Sequence, residues 1–282
     1  GSQWVYDILQ ECAPERIVKP KVNVAHFYED AILPGKIYPT VYVPHNRFEA
    51  TLWPGDDASG APRPPSSTDP AAAQNHYNFE VLKRPVKVFV IIRDLRDALV
   101  SLYFSLKVSH PLISDNVAEG HRKLNEIETE EDGLLYIINE RGRASANIQS
   151  TWLAGQSHRN SILGRLLGFL RYFGTSSLFA CQSDALFLRY EDLIANEQQE
   201  FSKIIKYCQI DIPAKKLTEI VNNNSFNKRA GRKPGEEDTS SHFRKGVSGD
   251  WKNHFTDRIK AEFKQKFGQL LIDTGYEKDM NW

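Results

Sequence analysis

The chain has 282 residues, of which 40% are hydrophobic and 26% are charged, and this composition is typical of one large soluble domain. Its 36 Lys and Arg residues equal its 36 Asp and Glu residues in number, which argues against a general binder of nucleic acid or anionic membranes. The three cysteines are widely spaced, which predicts free thiols in a cytoplasmic protein. The sequence has no metal-binding spacing and no long apolar run, so it predicts neither a metal ion nor a membrane span.

The first part of the chain predicts a helix, a strand and a long loop. Apolar residues at helical spacing mark 4–11, and alternation within 35–45 predicts a strand that ends at Pro44. Residues 46–80 include a stretch rich in Pro, Ala, Ser and Asp, which cannot build a packed core and predicts a mobile surface loop. Such a loop is either a tolerated insertion or a cover over a site. We expect a single domain over 1–282 that contains this loop.

Two later stretches predict a strand that runs directly into a helix. The apolar, β-branched run at 86–92 predicts a strand buried on both faces, followed by a helix with Asp94 as its N-cap and Asp97 in its first turn. Residues 185–193 repeat this pattern, with a helix continuing through Cys208. Further helices are predicted at 119–139, 145–154, 162–173, after Pro213 and at 257–275. This alternation predicts a three-layer α/β fold with a central parallel sheet.

Arg93 and Tyr190 each follow a predicted strand. Ligands bind beyond the carboxyl ends of parallel strands, and Ser101 lies about two helical turns after Arg93, so the guanidinium and the hydroxyl can hold one phosphate. The alternative is a surface arginine paired with Asp94 or Asp97 and a serine that faces solvent. Tyr190 can lie beside a base or close the top of the core.

Two other stretches suit an anion. "SSHFRKGVSGDWKNHFT" at 240–256 places Arg244 and Lys245 beside Gly246, and glycine lets the backbone approach an anion closely. Residues 228–252 carry seven Lys and Arg against four Asp and Glu, so the basic surplus is local. "GSQW" at 1–4 begins a helix whose free N–H groups suit an oxyanion, although "GS" is also a common cloning remnant.

Together these stretches resemble the cytosolic-type sulfotransferases, which use 3′-phosphoadenosine 5′-phosphosulfate (PAPS). The strongest signatures are "RDLRDALVSLYF" at 93–104 and "RKGVSGDWKNHFT" at 244–256, with "RYEDL" at 189–193 between them. The resemblance is weakest across 46–80 and 110–180. It implies a P-loop-like α/β/α domain that transfers a sulfuryl group from PAPS to a hydroxyl or amine of a small-molecule acceptor. The nucleotide product would be adenosine 3′,5′-bisphosphate (PAP).

The resemblance also implies roles for individual residues. Five of them would bind the 3′-phosphate: Arg93, Ser101, Arg244, Lys245 and Gly246. Three would lie against the adenine: Trp4, Tyr190 and Phe226. Trp4 also closes the segment that would bind the 5′-phosphosulfate, which consists of Gly1, Ser2 and Gln3. A histidine after an early strand takes the acceptor's proton in this family, so His45 is the candidate base, with His26 and His110 as alternatives.

One feature of the family is missing from the chain, namely the loop lysine two positions before Gly1 and the strand that precedes it. We therefore expect either an N-terminal truncation or an incomplete gene model, and with it weak nucleotide binding and slow transfer, because that lysine stabilises charge on the leaving group. Two rival functions stay open, an inert nucleotide-binding module and a P-loop phosphotransferase acting on ATP. The sequence contains no GxxxxGK[ST] run, which argues against the phosphotransferase. The residues predict neither the acceptor's identity nor an oligomeric state.

Overall fold

The structure is a computed structural model, and it describes residues 2–18, 35–38, 87–112, 115–160, 185–241 and 243–282. The chain divides into two compact units. The first comprises Gly1–Val90, Thr151–Leu186 and Ile205–Ile210, and the second comprises Ile91–Ser150, Phe187–Ile204 and Asp211–Trp282. The predicted loop at 46–80 and the predicted helix at 162–173 lie outside the described residues, so a single domain over 1–282 stays a prediction.

Two strands form the described part of the sheet, and they pair in parallel. Strand β1 covers Phe89–Ile92 and strand β2 covers Leu186–Arg189, so both lie within the stretches that predicted them. The N–H of Leu186 donates to the carbonyl of Val88 over 3.0 Å and extends the pairing by one residue. Helices follow both strands, and this arrangement confirms the α/β fold class.

The described residues form ten α-helices. In chain order they are α1 (Ser2–Cys12), α2 (Leu95–Phe104), α3 (Asp115–Glu126), α4 (Glu130–Glu140), α5 (Gly142–Asn160), α6 (Tyr190–Ala195), α7 (Glu197–Tyr207), α8 (Ala214–Asn223), α9 (Phe226–Ala230) and α10 (Asp257–Asp273). A π-helical turn, Ser105–Ser109, continues α2, and a 3₁₀ turn, Asp250–Asn253, precedes α10. None of the helices in the described ranges is long and apolar enough to cross a membrane.

Local capping explains where the second unit departs from the predicted helices. The single helix predicted over 119–139 is wrong, because α3 ends at Glu126 and Thr129 begins α4 by accepting the N–H of Asp132 over 3.1 Å. The predicted helix through Cys208 is likewise two helices, α6 and α7, separated at Asn196. Asp94 is the N-cap of α2 as predicted, and its carboxylate accepts the N–H of Arg96 over 2.9 Å.

The core of the second unit lies where α2 and α10 pack against α4. Each helix contributes fully buried apolar side chains at helical spacing. They include Leu95 and Leu99 from α2, Leu134, Ile137 and Ile138 from α4, and Ile259 and Phe263 from α10. Because β1 ends at Ile92 and α2 begins at Leu95, this core fixes α2 relative to the end of the strand.

Candidate functional site

Asp97 on α2 joins the two signature stretches of the sequence. Its buried carboxylate accepts the backbone N–H of Gly249 over 2.5 Å and that of Trp251 over 2.8 Å. Burial raises the pKa of Asp97. The N–H of Trp251, the charge of Arg93 and the N–H of Gly249 lower this pKa, but burial has the larger effect. The sequence predicted Asp97 only as a favourable charge in the first helical turn. Its role in holding the 249–251 backbone was missed, because both partners lie more than 150 residues away.

One face of α2 therefore lies against the loop that carries the second signature. Phe104, seven residues after Asp97, has its ring centroid 4.5 Å from the guanidinium carbon of Arg244. Ser101 lies four residues after Asp97 and three before Phe104, and residues at these spacings share one face of a helix. The half-buried Ser101 is thus on the face of α2 that meets the 244–251 loop.

Arg93 lies at the carboxyl end of β1, and its guanidinium carbon is 4.8 Å from the ring centroid of Tyr190, the first residue of α6. Burial raises the pKa of Tyr190, and the charge of Arg93 opposes this. Asp94 was one of two carboxylates considered as an ion-pair partner of Arg93. In the structure Asp94 pairs with Arg96 instead, over 2.7 Å. Within the described residues, the buried Nε of Arg93 has no hydrogen-bond partner. A buried unsatisfied guanidinium nitrogen is costly, which indicates a site for an acceptor.

Arg244 and Lys245 meet at the buried carboxylate of Asp250. Arg244 donates to Asp250 over 2.5 Å and Lys245 does so over 2.6 Å, while Asn253 donates to the same group over 2.9 Å. Burial alone would raise the pKa of Asp250, but the hydrogen bonds from Lys245, Asn253 and Arg244 outweigh it and hold the pKa well below its usual range. The hydrogen bond to Asp250 in turn raises the pKa of Lys245, so the ammonium group of Lys245 is charged at neutral pH.

Gly246 and Phe226 are in close contact, although they lie on different elements. Gly246 has a φ of +67°, and a Cβ on it would come within 2.4–2.6 Å of three ring atoms of Phe226. Only glycine therefore allows the loop to follow this path against the ring. Phe226 is the first residue of α9. The guanidinium carbon of Arg232, two residues after the end of that helix, lies 5.5 Å from the centroid of the Phe226 ring.

The remaining predicted site residues lie in the first unit, after the π-helical turn of the second unit, or outside the described residues. Ser2, Gln3 and Trp4 open α1 in the first unit, where Gln3 donates to the Asp7 side chain over 2.7 Å. Gly1, His26 and His45 lie outside the described residues. His110 follows the π-helical turn, and its Nδ1 lies 2.8 Å from the carbonyl of Pro111.

Glu237, Asp250 and His254 form a group of potential metal ligands whose ligand atoms lie within 4.8 Å of one another. Both carboxylates already pair with Arg244 and Lys245. The nitrogens of His254 lie 2.6 Å from Glu130 and 3.2 Å from Asp250. A metal ion here would have to displace two cations, so the charges of these side chains disfavour it.

A family description for the sulfotransferase domain matches residues 1–275, which is nearly the whole chain. This chain belongs to the sulfotransferase family. The two signatures that predicted the family, and that Asp97 joins in the fold, lie within the matched range of this chain.

Individual relatives match this chain over shorter stretches. Sulfotransferase 1 family member D1 of Mus musculus is 33% identical over 99 residues, which cover 32% of this chain and 34% of the relative. Sulfotransferase 2A1 of Homo sapiens is 30% identical over 101 residues, covering 33% and 35%. The chain thus spans about a third of the length of these relatives. A crystal structure of mouse sulfotransferase SULT7A1 complexed with PAP aligns with a TM-score of 0.45 at 19% identity, over 67% of this chain and 59% of that one.

Proposed function

We propose that this sulfotransferase transfers a sulfuryl group from PAPS to a hydroxyl or amine of a small-molecule acceptor. One observation carries the proposal: the face of α2 that contains Asp97, Ser101 and Phe104 lies against the 244–251 loop. This packing brings a hydroxyl and a cation from separate signatures to one side of the helix, at the end of a parallel strand where ligands of α/β proteins bind.

The residues present suit a nucleotide with a 3′-phosphate. The buried Nε of Arg93 is a donor that needs an acceptor, and a phosphate oxygen supplies one. We propose that five residues hold the 3′-phosphate: Arg93, Ser101, Arg244, Lys245 and Gly246. Tyr190 and Phe226 offer aromatic faces for the adenine, since one lies against Arg93 and the other against Gly246.

The rest of the donor would be held by the N-terminal segment. We assign the 5′-phosphosulfate to Gly1, Ser2 and Gln3, and a second side of the adenine to Trp4. Backbone N–H groups at the start of α1 are suited to such an anion, because the first N–H groups of a helix lack partners within it. A small-molecule acceptor and a cytoplasmic location complete the proposal.

PAPS would supply an activated sulfuryl group, whose sulfur forms a bond to the acceptor oxygen or nitrogen as the bond to the phosphate oxygen of PAP breaks. The chain's residues position both partners and neutralise the charge on the leaving phosphate. The proton of the acceptor would pass to His45, which we keep as the candidate base, with His26 and His110 as the alternatives.

Binding of PAP by the wild type and by Arg93→Ala tests the cofactor assignment. Wild type should gain thermal stability from PAP without magnesium, and Arg93→Ala should bind PAP about tenfold or more weakly, because a charge-assisted hydrogen bond is lost. Arg122→Ala is the matched control, since Arg122 is 60% exposed on α3 and pairs only with Glu126 among the described residues.

Three outcomes would contradict the proposal in different ways. Stabilisation by magnesium-ATP alone would indicate a phosphotransferase. Binding of PAP without transfer of label from radioactive PAPS to any member of an acceptor library would indicate an inert module. Equal PAP affinity of wild type and Arg93→Ala would remove Arg93 from the phosphate site.

A further inference from the structure

We propose that Glu237 is an intramolecular competitor for the anion site of Arg244 and Lys245, so that a phosphate must displace its carboxylate in order to bind. The inference rests on the proposed function, because it assigns a regulator to the same phosphate site. It explains why two cations suited to an anion are both paired with carboxylates within the folded chain.

The backbone brings Glu237 to these cations. The N–H of Gly235 donates to the carbonyl of Lys245 over 2.8 Å, and the N–H of Asp238 donates to the carbonyl of Arg244 over 2.9 Å. Glu237 lies between the two donors, so its side chain starts beside the two cations. One carboxylate oxygen of Glu237 bonds Arg244, and the other lies 3.5 Å from Nζ of Lys245.

The two carboxylates that pair with these cations differ in how firmly they are held. The side chain of Asp250 is 2% exposed, and it accepts an additional hydrogen bond from Asn253 over 2.9 Å. The side chain of Glu237 is 31% exposed, and within the described ranges its only partners are Arg244 and Lys245. Asp250 is therefore a fixed counter-ion that positions the cations, whereas Glu237 can leave them for water at little cost.

The chemistry of the exchange is that of one anion replacing another. A carboxylate and a phosphate both accept charge-assisted hydrogen bonds from the guanidinium fork and the ammonium group, and both are repelled by the other's charge. Arg244 and Lys245 are 11% and 18% exposed, and Glu237 is the more exposed of the two carboxylates that pair with them. Removal of Glu237 should not change the affinity for a ligand that has no phosphate at these cations.

The competitor is tested by measuring binding of PAP and of adenosine 5′-monophosphate, which lacks the 3′-phosphate, by titration calorimetry. Glu237→Gln should bind PAP about three- to fivefold more tightly than wild type, the amount expected for loss of one partly exposed ion pair. Its affinity for adenosine 5′-monophosphate should not change. Glu236→Gln is the matched control, because it makes the same charge change one residue away, where the carboxylate accepts the N–H of Lys233 over 3.2 Å.

Each result separates this inference from the proposed function. PAP affinity that is unchanged or weaker in Glu237→Gln would overturn the inference, and a weaker affinity would make Glu237 an orienting residue. Equal tightening in Glu236→Gln would also overturn it, since the effect would then be one of net charge. If neither the wild type nor Glu237→Gln binds PAP, the proposed function fails, and the inference fails with it. Glu237→Ala should reproduce the tightening.

Discussion

Gly246 is constrained by its backbone and by its neighbour at the same time. Its φ of +67° lies in the left-handed region, and its Cα faces the ring of Phe226 at a distance that leaves no room for a Cβ. Gly235 has a φ of +96°, but a Cβ there would meet nothing within 4 Å. Both glycines therefore have a positive φ, and of the two only Gly246 also has the aromatic contact.

Replacing each glycine by alanine separates these two effects. Both Gly246→Ala and Gly235→Ala should lower the free energy of unfolding by about 1–2 kcal/mol, because alanine is strained at positive φ. Only Gly246→Ala should also weaken PAP binding, by about tenfold, because the new methyl group displaces Phe226 or the loop. Urea unfolding and calorimetric titration with PAP measure the two quantities. Equal PAP affinity in both variants would show that the contact with Phe226 does not shape the site.

At the scale of elements, one arginine connects several carbonyls in and beside the loop between α9 and the 3₁₀ turn. Arg232 donates to the carbonyls of Ala230 over 3.2 Å, Glu236 over 3.0 Å and Arg244 over 3.0 Å, and also to that of Phe243. The planar guanidinium reaches carbonyls on both sides of the loop at once. Arg232 is thus a positioning residue: it fixes the backbone from which the Arg244 side chain extends.

Arg232→Lys tests this positioning role. Lysine keeps the charge, but its ammonium group cannot reach the same four carbonyls, so we expect about tenfold weaker PAP binding and faster proteolysis within 231–246. Added guanidinium at millimolar concentration should restore part of the affinity, a recovery that a general loss of stability would not give. Arg258→Lys is the control, since Arg258 is 62% exposed on α10 and pairs with Glu131 and Asp132. Full PAP affinity in Arg232→Lys would refute the role.

At the scale of the whole molecule, the end of the chain returns to the strand ends of the second unit. Arg189 donates to the carbonyl of Thr274 over 2.7 Å, and Tyr276 donates to Glu191 over 2.6 Å. Arg96 pairs with Glu277 over 2.5 Å, and its guanidinium carbon lies 3.9 Å and 4.5 Å from ring centroids of Trp251 and Trp282. Buried charges of this kind are stable only while they remain paired, so the stability of the unit depends on ionisation.

The pH dependence of unfolding tests this for Asp250. The fold lowers the pKa of this carboxylate, because the hydrogen bonds from Lys245, Asn253 and Arg244 outweigh its burial. Its contribution to stability is therefore present above about pH 4 and is lost as the pH falls through the folded-state pKa. Asp250→Asn should be less stable than wild type at pH 7, and the difference between their free energies of unfolding should shrink toward pH 3.

The comparison with Asp250→Asn isolates this group from others that titrate. Burial raises the pKa of Asp97, so protonation of Asp97 favours the fold as the pH falls and opposes the effect of Asp250 in the wild type. Both proteins retain Asp97, so its contribution cancels in the difference. A difference in unfolding free energy that is constant from pH 7 to pH 3 would contradict the assignment.

The local features of the fold could be predicted from the sequence, and the partnerships between distant side chains could not. Short apolar runs predicted both strands, and Asp94 predicted the start of α2, because these signals act over a few residues. The strand ends also predicted that Arg93 and Tyr190 belong to one edge of the sheet, where the two side chains are in contact. The break between α3 and α4 was missed, since the capping by Thr129 gives a weaker signal than the apolar spacing around it.

Arg96, Asp97 and Glu237 show what only the tertiary structure decided. In the sequence each is one more charge, on a helix or in a turn. In the fold, Arg96 is a buried cation beside two indole rings, Asp97 holds the backbone of a distant loop, and Glu237 pairs with two cations. Sequence patterns record backbone preferences and show which face of a helix or strand is buried. These were enough to predict the fold class and the family. A charge acquires its role from the groups that three-dimensional packing places beside it, and those lie outside any local pattern.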